Sequence, residues 1–406
     1  MSTSILYHGW NVEDYTYRST KFAAGALWFH IEKKAEKRFC AACGSREVVL
    51  AGLVDPPPAL RGVPIGKKPA WLVLHLHRLK CSACGSIQQE DRVIGDPKKH
   101  YTRQLATYVL DLSRKMTIAD IAEHLEMSWD TIKDILKSDL ERRSQKIDWR
   151  NLTHIAIDEI SVAKGQRYLT VVLNLKTGRV IFVAESRKAE ALAPFFKKLR
   201  RSRTRLQAVA MDMNAAYKLA VGTYYRRPCA IVYDRFHVIK LLNEQIDEIR
   251  REEMRNAESD EIRKIIKGKR YLLLYGHENL RKRDVEPLKE LLLLNANLCT
   301  AYILKEQLRL FWDAPDRQKG EEFLREWIVA AETSGIKRLA KFAKTLRDHW
   351  EGLLAYFDHP ITTGPLEGVN NSIKVLKRKA YGYRDVEFFK LRILFIHECK
   401  SKFVGV

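Results

Sequence analysis

The spacing of apolar residues changes character along this chain. From Tyr101 to Arg143 it is helical: Leu105, Tyr108, Val109 and Leu112 recur at three- and four-residue intervals, and Ile118, Ile121, Ala122 and Leu125 repeat the pattern. Thr117 with Asp120 three residues later reads as a capping box, and Ser128 can cap a third helix carrying Ile132, Ile135 and Leu136. Three such helices over residues 98–150 predict a helix-turn-helix domain, although a plain three-helix bundle shares the pattern. In that motif the amino-terminal residues of the last helix meet base edges in the major groove, which nominates Trp129, Asp130, Thr131 and Lys133.

From residue 152 the period shortens to that of strands. "THIAIDEI", "RYLTVVLNLKTG" and "RVIFVAES" are β-rich runs, the last two joined at a hairpin turn. An amphipathic helix, "AEALAPFFKKLRR", precedes a fourth strand, "LQAVAMDM"; a short helix, "NAAYKLAVGTYY", precedes a fifth, "AIVYDRF". The order is βββαβαβ, an α/β arrangement. Beyond His237 the chain is helical and highly charged, which reads as a helical insertion over 238–360. A last capped helix follows in 361–406, with Pro365 in its first turn, where a missing N–H costs nothing.

Residues 1–97 add a different chemistry. Cys40 and Cys43 in "CAACG", and Cys81 and Cys84 in "CSACG", form two C-x-x-C knuckles. Their spacing predicts one structural zinc ion with all four positions filled, in a zinc ribbon over about 38–90. "WLVLHLHRLKC" reads as a strand leading into the second knuckle, with His75 and His77 as exposed neighbours rather than ligands.

Charge narrows the partners. Lys and Arg number 72 against 50 acidic residues, a net charge of +22, and "KKLRRSRTR" and "KVLKRK" concentrate it. A basic surface of this kind points to nucleic acid. The opening "MSTSILYHGW" lacks the features of a signal peptide, and "LLLLNANLCTAYIL" falls short of a membrane span, so a cytosolic protein without membrane contact is expected.

Against that positive background, acids at strand ends stand out. Asp158 ends the first strand, Asp212 the fourth, and Glu367 opens the final helix. In a five-stranded sheet of this order the first and fourth strands are neighbours, so the two aspartates meet. Such carboxylates repel unless divalent cations compensate them, and oxygen-rich sites suit two magnesium or manganese ions serving phosphodiester chemistry. On the final helix Leu366, Val369, Ile373 and Leu376 form the packing stripe, while Glu367, Asn371, Lys374 and Arg378 share a face suited to metal and the DNA backbone.

The element order and acidic positions resemble an RNase H-like nuclease core. The paired knuckles, "MSWDTIKDI", "IAIDEIS", "AMDMNAAY", "VYDRFHVIK" and "GPLEGVNNSIKVLKRKAYGYRDVEFFKLRI" together resemble an insertion-sequence DDE transposase of the ISL-three family over essentially the whole length. That resemblance implies an RNase H-like core in 151–237 and 361–406 with Asp158, Asp212 and Glu367 as catalytic triad. It further implies double-stranded DNA partners, namely terminal inverted repeats and target, with homodimeric action in the bacterial cytosol. Glu159 matches the family's Asp-Glu pair but points to the opposite strand face by the two-residue period. Asp234 and His237 resemble a D-x-x-H motif, His237 orienting scissile phosphate or the pair capping the next helix. Trp312 resembles a base-stacking tryptophan, with helix packing as the other reading. Two rivals are a domesticated DNA-binding regulator and an RNase H-like nuclease or resolvase.

Overall fold

The computed structural model describes residues 4–398 apart from 93, 97, 150 and 164–166. Residues 399–406, which the sequence reading assigned to the core, therefore lie outside the described residues. The described residues divide into two compact units, 4–145 with 398, and 146–397.

In the first unit, helix α1 (Ile5–Trp10) precedes strands β1 (Tyr15–Ala23), β2 (Ala26–Lys33), β3 (Val48–Leu53), β4 (Ala59–Ile65), β5 (Lys68–His75), β6 (His77–Cys81) and β7 (Ile87–Gln89). They form a four-stranded sheet in the order β1-β2-β5-β4 and a three-stranded sheet in the order β3-β6-β7. Trp10, Phe29, Ile31, Leu60, Leu72 and Leu74 build the apolar core on the larger sheet. The single strand expected up to Cys81 divides at buried Leu76: β5 pairs with β2 and β4, and β6 with β3 and β7. One run of chain thus joins the larger sheet to the second knuckle. Helices α2 (Arg103–Leu112), α3 (Ile118–Leu125) and α4 (Trp129–Ser144) follow. Thr117 and Asp120 form the reciprocal capping box, Ser128 accepts from Thr131 N, and Glu126 ends α3 in the left-handed conformation.

The second unit is an α/β structure. Strands β8 (His154–Ala163), β9 (Arg167–Asn174), β10 (Arg179–Ala184), β11 (Ala208–Met211) and β12 (Ala230–Tyr233) form one sheet in the order β10-β9-β8-β11-β12. The first three run antiparallel, whereas β11 is parallel to both β8 and β12. Helices α5 (Ala193–Arg201) and α6 (Ala215–Ala220) connect the later strands. Strand alternation divides the side chains: Ile155, Ile157, Val209 and Met211 enter one cluster with α5 and α6, while Ala156, Ile160 and Ala210 face the other way.

After β12 the chain is helical from α7 (Arg235–Arg255) through α8 (Asp260–Ile266), α9 (Arg270–Leu274), α10 (Lys282–Leu294), α11 (Ala296–Arg309), α12 (Arg317–Thr333), α13 (Lys337–Asp348) and α14 (Trp350–Asp358). Leu298, Leu304, Leu324 and Leu346 from these helices belong to the same apolar cluster as Ile155 and Val209 of the sheet. At Gly352 on α14 a side chain would collide with the Tyr233 ring. The last helices, α15 (Gly364–Lys379) and α16 (Val386–Leu394), cover the opposite sheet face, with Leu366, Ile373, Phe389 and Ile393 packed against Ala156, Ile160 and Ala210.

Candidate functional site: an acidic cluster and a thiol cluster

Asp158 does not end the first strand as the pattern predicts: β8 continues to Ala163, paired with β9 throughout, so Asp158 lies in its middle, whereas Asp212 follows the last residue of β11. The parallel register sets Ala210 opposite Ala156, so two residues further on Asp212 stands level with Asp158. Asp158 Oδ1 accepts from Glu159 N at 2.8 Å, and its Oδ2 accepts from Asn370 Nδ2 on α15, also at 2.8 Å. His237 Nε2, in the first turn of α7, is 3.9 Å from Asp158 Oδ1. Asp212 Oδ1 accepts from Asn214 N, a turn that leads directly into α6.

Three basic side chains face these acids, with Arg187 4.0 Å from Glu159 and His237 and Lys240 acting on both Glu159 and Asp212. Burial pushes the Asp158 and Asp212 carboxyls up, His237 opposes both shifts, and the charge of Asp158 raises Asp212 further. Glu159 is raised by burial and then by Asp212. Although strand alternation sends it away from Asp158, it therefore stays within electrostatic reach of the cluster. Glu159 Oε2 and Asn370 Oδ1 are buried acceptors without a hydrogen-bond partner. Desolvated carboxylates beside orphaned oxygens are a donor set that suits a hard divalent cation.

Glu367 sits in the first turn of α15 and is exposed. Among the described residues, only the four cysteines form a group of three or more potential ligands whose donor atoms crowd together. The structure thus brings Asp158 and Asp212 together but does not draw Glu367 into so tight a group. Asn371, Lys374 and Arg378 line the exposed side of α15. The residue that reaches Asp158 is their neighbour Asn370, which the sequence reading passed over. Its signal was a polar side chain between Leu366 and Ile373 on the buried stripe.

Asp234 is 3% exposed. Its Oδ1 accepts from Phe236 N and caps α7, and its Oδ2 accepts from Thr363 N at 2.7 Å. Asp234 therefore caps α7 and at the same time holds the chain just ahead of α15. Trp312 requires a correction: it is 5% exposed, packed against Phe311 within the helical cluster and faced by the Arg235 guanidinium. Burial by its own helices leaves no ring face free for a nucleic-acid base.

The two knuckles share one backbone design. Cys40 N donates to Ser45 O and Gly44 N to Cys40 O; Cys81 N donates to Ser86 O and Gly85 N to Cys81 O. Gly44 and Gly85 have φ of 75° and 72°, a conformation that costs glycine nothing. The four Sγ atoms lie within 4.8 Å of one another, with pairs at 3.6 and 3.7 Å. Tetrahedral zinc–thiolate bonds of ~2.3 Å require sulfur separations of ~3.8 Å, so the cluster is compatible with such an ion. The Ser86 hydroxyl, followed by backbone N–H groups, brings the Cys40 thiol down to about 6. His77 instead bonds with the buried Glu90–Arg38 pair, and His75 with His30 at 2.9 Å.

On α4, Trp129 is 47% exposed at the helix start, with Lys133 Nζ 5.6 Å from its ring centre. Asp130 is exposed and Thr131 half-buried beside it.

The geometry can now be set beside known proteins. A family model described as transposase matches residues 155–393, and one described as the helix-turn-helix domain of transposase family ISL3 matches residues 94–139. The transposase for insertion sequence element IS1001 of Bordetella parapertussis is 34% identical over 90% of this chain and 90% of its own length. The transposase for IS1557 of Mycobacterium tuberculosis is 29% identical over 87% of this chain and 84% of its own. The chain belongs to the ISL3 family of insertion-sequence DDE transposases. It is a DNA-binding enzyme that cleaves and transfers DNA strands, and its family uses divalent metal ions. Among the described residues no helix is long and apolar enough to cross a membrane.

Proposed function

We propose that Asp158, Asp212 and Glu367 form the catalytic triad of an RNase H-like core. The sheet order third-second-first-fourth-fifth supports that fold, and the level pairing of Asp158 with Asp212 carries the assignment. Two magnesium or manganese ions held there supply charge neutralisation at the scissile phosphate and ease ionisation of the attacking water or 3′-hydroxyl. Asp158 and Asp212 would hold the ions, with Glu367 completing the site from α15. His237 Nε2 faces the same carboxylates and donates to a phosphate oxygen. Asn371, Lys374 and Arg378 hold the DNA backbone leading from the cut, fixing position without reading sequence. This is phosphoryl transfer by positioning and charge, with no covalent enzyme intermediate.

Trp129, Asp130, Thr131 and Lys133 read the terminal inverted repeats, while Cys40, Cys43, Cys81 and Cys84 hold one zinc ion that maintains the hairpins around it. A homodimer in the cytosol handles two element ends and the target. The deciding experiment is Asp158→Asn on an element-end duplex. Cleavage falls by at least about 10³-fold with end binding unchanged; parallel loss of both activities counts against the triad.

A further inference from the structure

Three aspartates stand in one row across the parallel part of the sheet. β8 and β11 pair with Ala156 opposite Ala210, and β11 and β12 with Met211 opposite Tyr233. Carrying both registers forward sets Asp158, Asp212 and Asp234 level on consecutive strands. Asp234 N donates to Met211 O at 3.0 Å, which holds the third member in line.

The start of α15 lies across this row. Thr363 N is bonded to Asp234 at one end, and Asn370 Nδ2 to Asp158 at the other. Seven residues rise about 10 Å in a helix, and two strand spacings cover about 10 Å. The helix step therefore matches the distance from β12 to β8. Seven residues also complete almost two full turns, so both tethers lie on one helix face. Glu367 falls between them, along the stretch that crosses Asp212.

Both tethers are specific. Asp234 and Asn370 are 3% and 9% exposed, and each bond joins segments far apart in sequence. Asn370 adds a buried Oδ1 without a partner, an orientation that helix packing alone does not call for. Asp234 also spans the exit and return of the helical insertion, since it caps α7 and binds the residue before α15.

We infer that Asp234 and Asn370 are positioning residues: a two-point tether that sets Glu367 across from Asp212 and fixes the orientation of the Asp158 carboxylate for divalent ions. The role rests on the triad proposed above. Neither residue touches the reacting phosphate.

The test measures Mn²⁺ binding to the full chain by electron paramagnetic resonance without DNA, beside cleavage of an element-end duplex. Asp234→Asn keeps the cap on α7 through Oδ1 but presents a donor to Thr363 N. Asn370→Ala removes the second tether, and Asn370→Leu removes it while preserving bulk if the alanine variant unfolds. Each weakens Mn²⁺ binding roughly 10- to 100-fold. Cleavage falls comparably and recovers at high Mn²⁺, while end binding stays at the wild-type level. Wild-type Mn²⁺ affinity in Asp234→Asn and Asn370→Leu, with binding lost in Asp158→Asn, overturns the tether and leaves the triad standing. If Asp158→Asn and Glu367→Gln themselves bind Mn²⁺ and cleave normally, it is the triad that fails.

Discussion

The two ligand clusters differ in how far the chain alone assembles them. Four thiols from two knuckles already stand within 4.8 Å, because each knuckle's backbone hydrogen bonds and left-handed glycine fix its cysteines locally. The carboxylates come from β8, the end of β11 and the start of α15, and only two of the three stand together. The thiol cluster carries its own compensation, since the Ser86 hydroxyl and backbone N–H groups stabilise the Cys40 thiolate, whereas buried carboxylates repel one another. The thiol cluster is thus fixed by local backbone, while the placing of the carboxylates depends on how three segments remote in sequence pack.

The largest expected effect tests the thiol side. Cys81→Ser removes a ligand of the zinc ion proposed for the cluster, and binding of such an ion contributes ~10–16 kcal/mol in small zinc domains. Bound zinc by elemental analysis falls to zero, and the circular-dichroism melt loses the early strands and knuckles while the second unit's transition persists. A variant that still binds ends and melts like the wild type shows the cluster to be no structural site.

Next comes the acidic side, probed by thermal unfolding with and without Mg²⁺. Burial raises the folded-state values for Asp158, Asp212 and Glu159. Their contribution to metal-free stability is therefore present at low pH and lost as pH rises through those raised values. Divalent ions compete with these protons, so the Mg²⁺-induced rise in Tm grows over the same pH window. At a hundred times Kd the corresponding gain in unfolding free energy is about 2.7 kcal/mol. A stabilisation independent of pH places the ions elsewhere.

The smallest effect sharpens the contrast most. Asp212→Asn relieves the like-charge crowding and stabilises the metal-free protein, by on the order of 1 kcal/mol, while removing Mg²⁺-dependent stabilisation and strand cleavage. A cysteine variant moves the opposite way, losing stability. Destabilisation by Asp212→Asn in the metal-free melt contradicts a site held under electrostatic strain.

What was legible in the sequence was local or periodic. The capping box at Thr117, the cap at Ser128, both knuckles and the core order of strands and helices are written in neighbouring residues. β1 escaped notice because only Tyr15 of its nine residues is buried, so an edge strand with solvent along it shows no apolar alternation. The helical angle of Glu367 selects Asn371 for its face and is silent on Asn370. Which asparagine meets Asp158 depends on how α15 settles against β8, information carried by the partner strand. Trp312 was assigned by resemblance, and its burial among helices remote in sequence is a tertiary outcome.

The apolar cluster that joins the sheet to the helical insertion has a mechanical consequence. Ile155 and Val209 share it with Leu298 and Leu324, and Gly352 lets α14 press directly on Tyr233. Swinging that region as a free lid would expose this grease to water at about 25 cal/mol for every Å² uncovered. The insertion is accordingly anchored to the back of the sheet, one apolar body with the strands that carry Asp158 and Asp212.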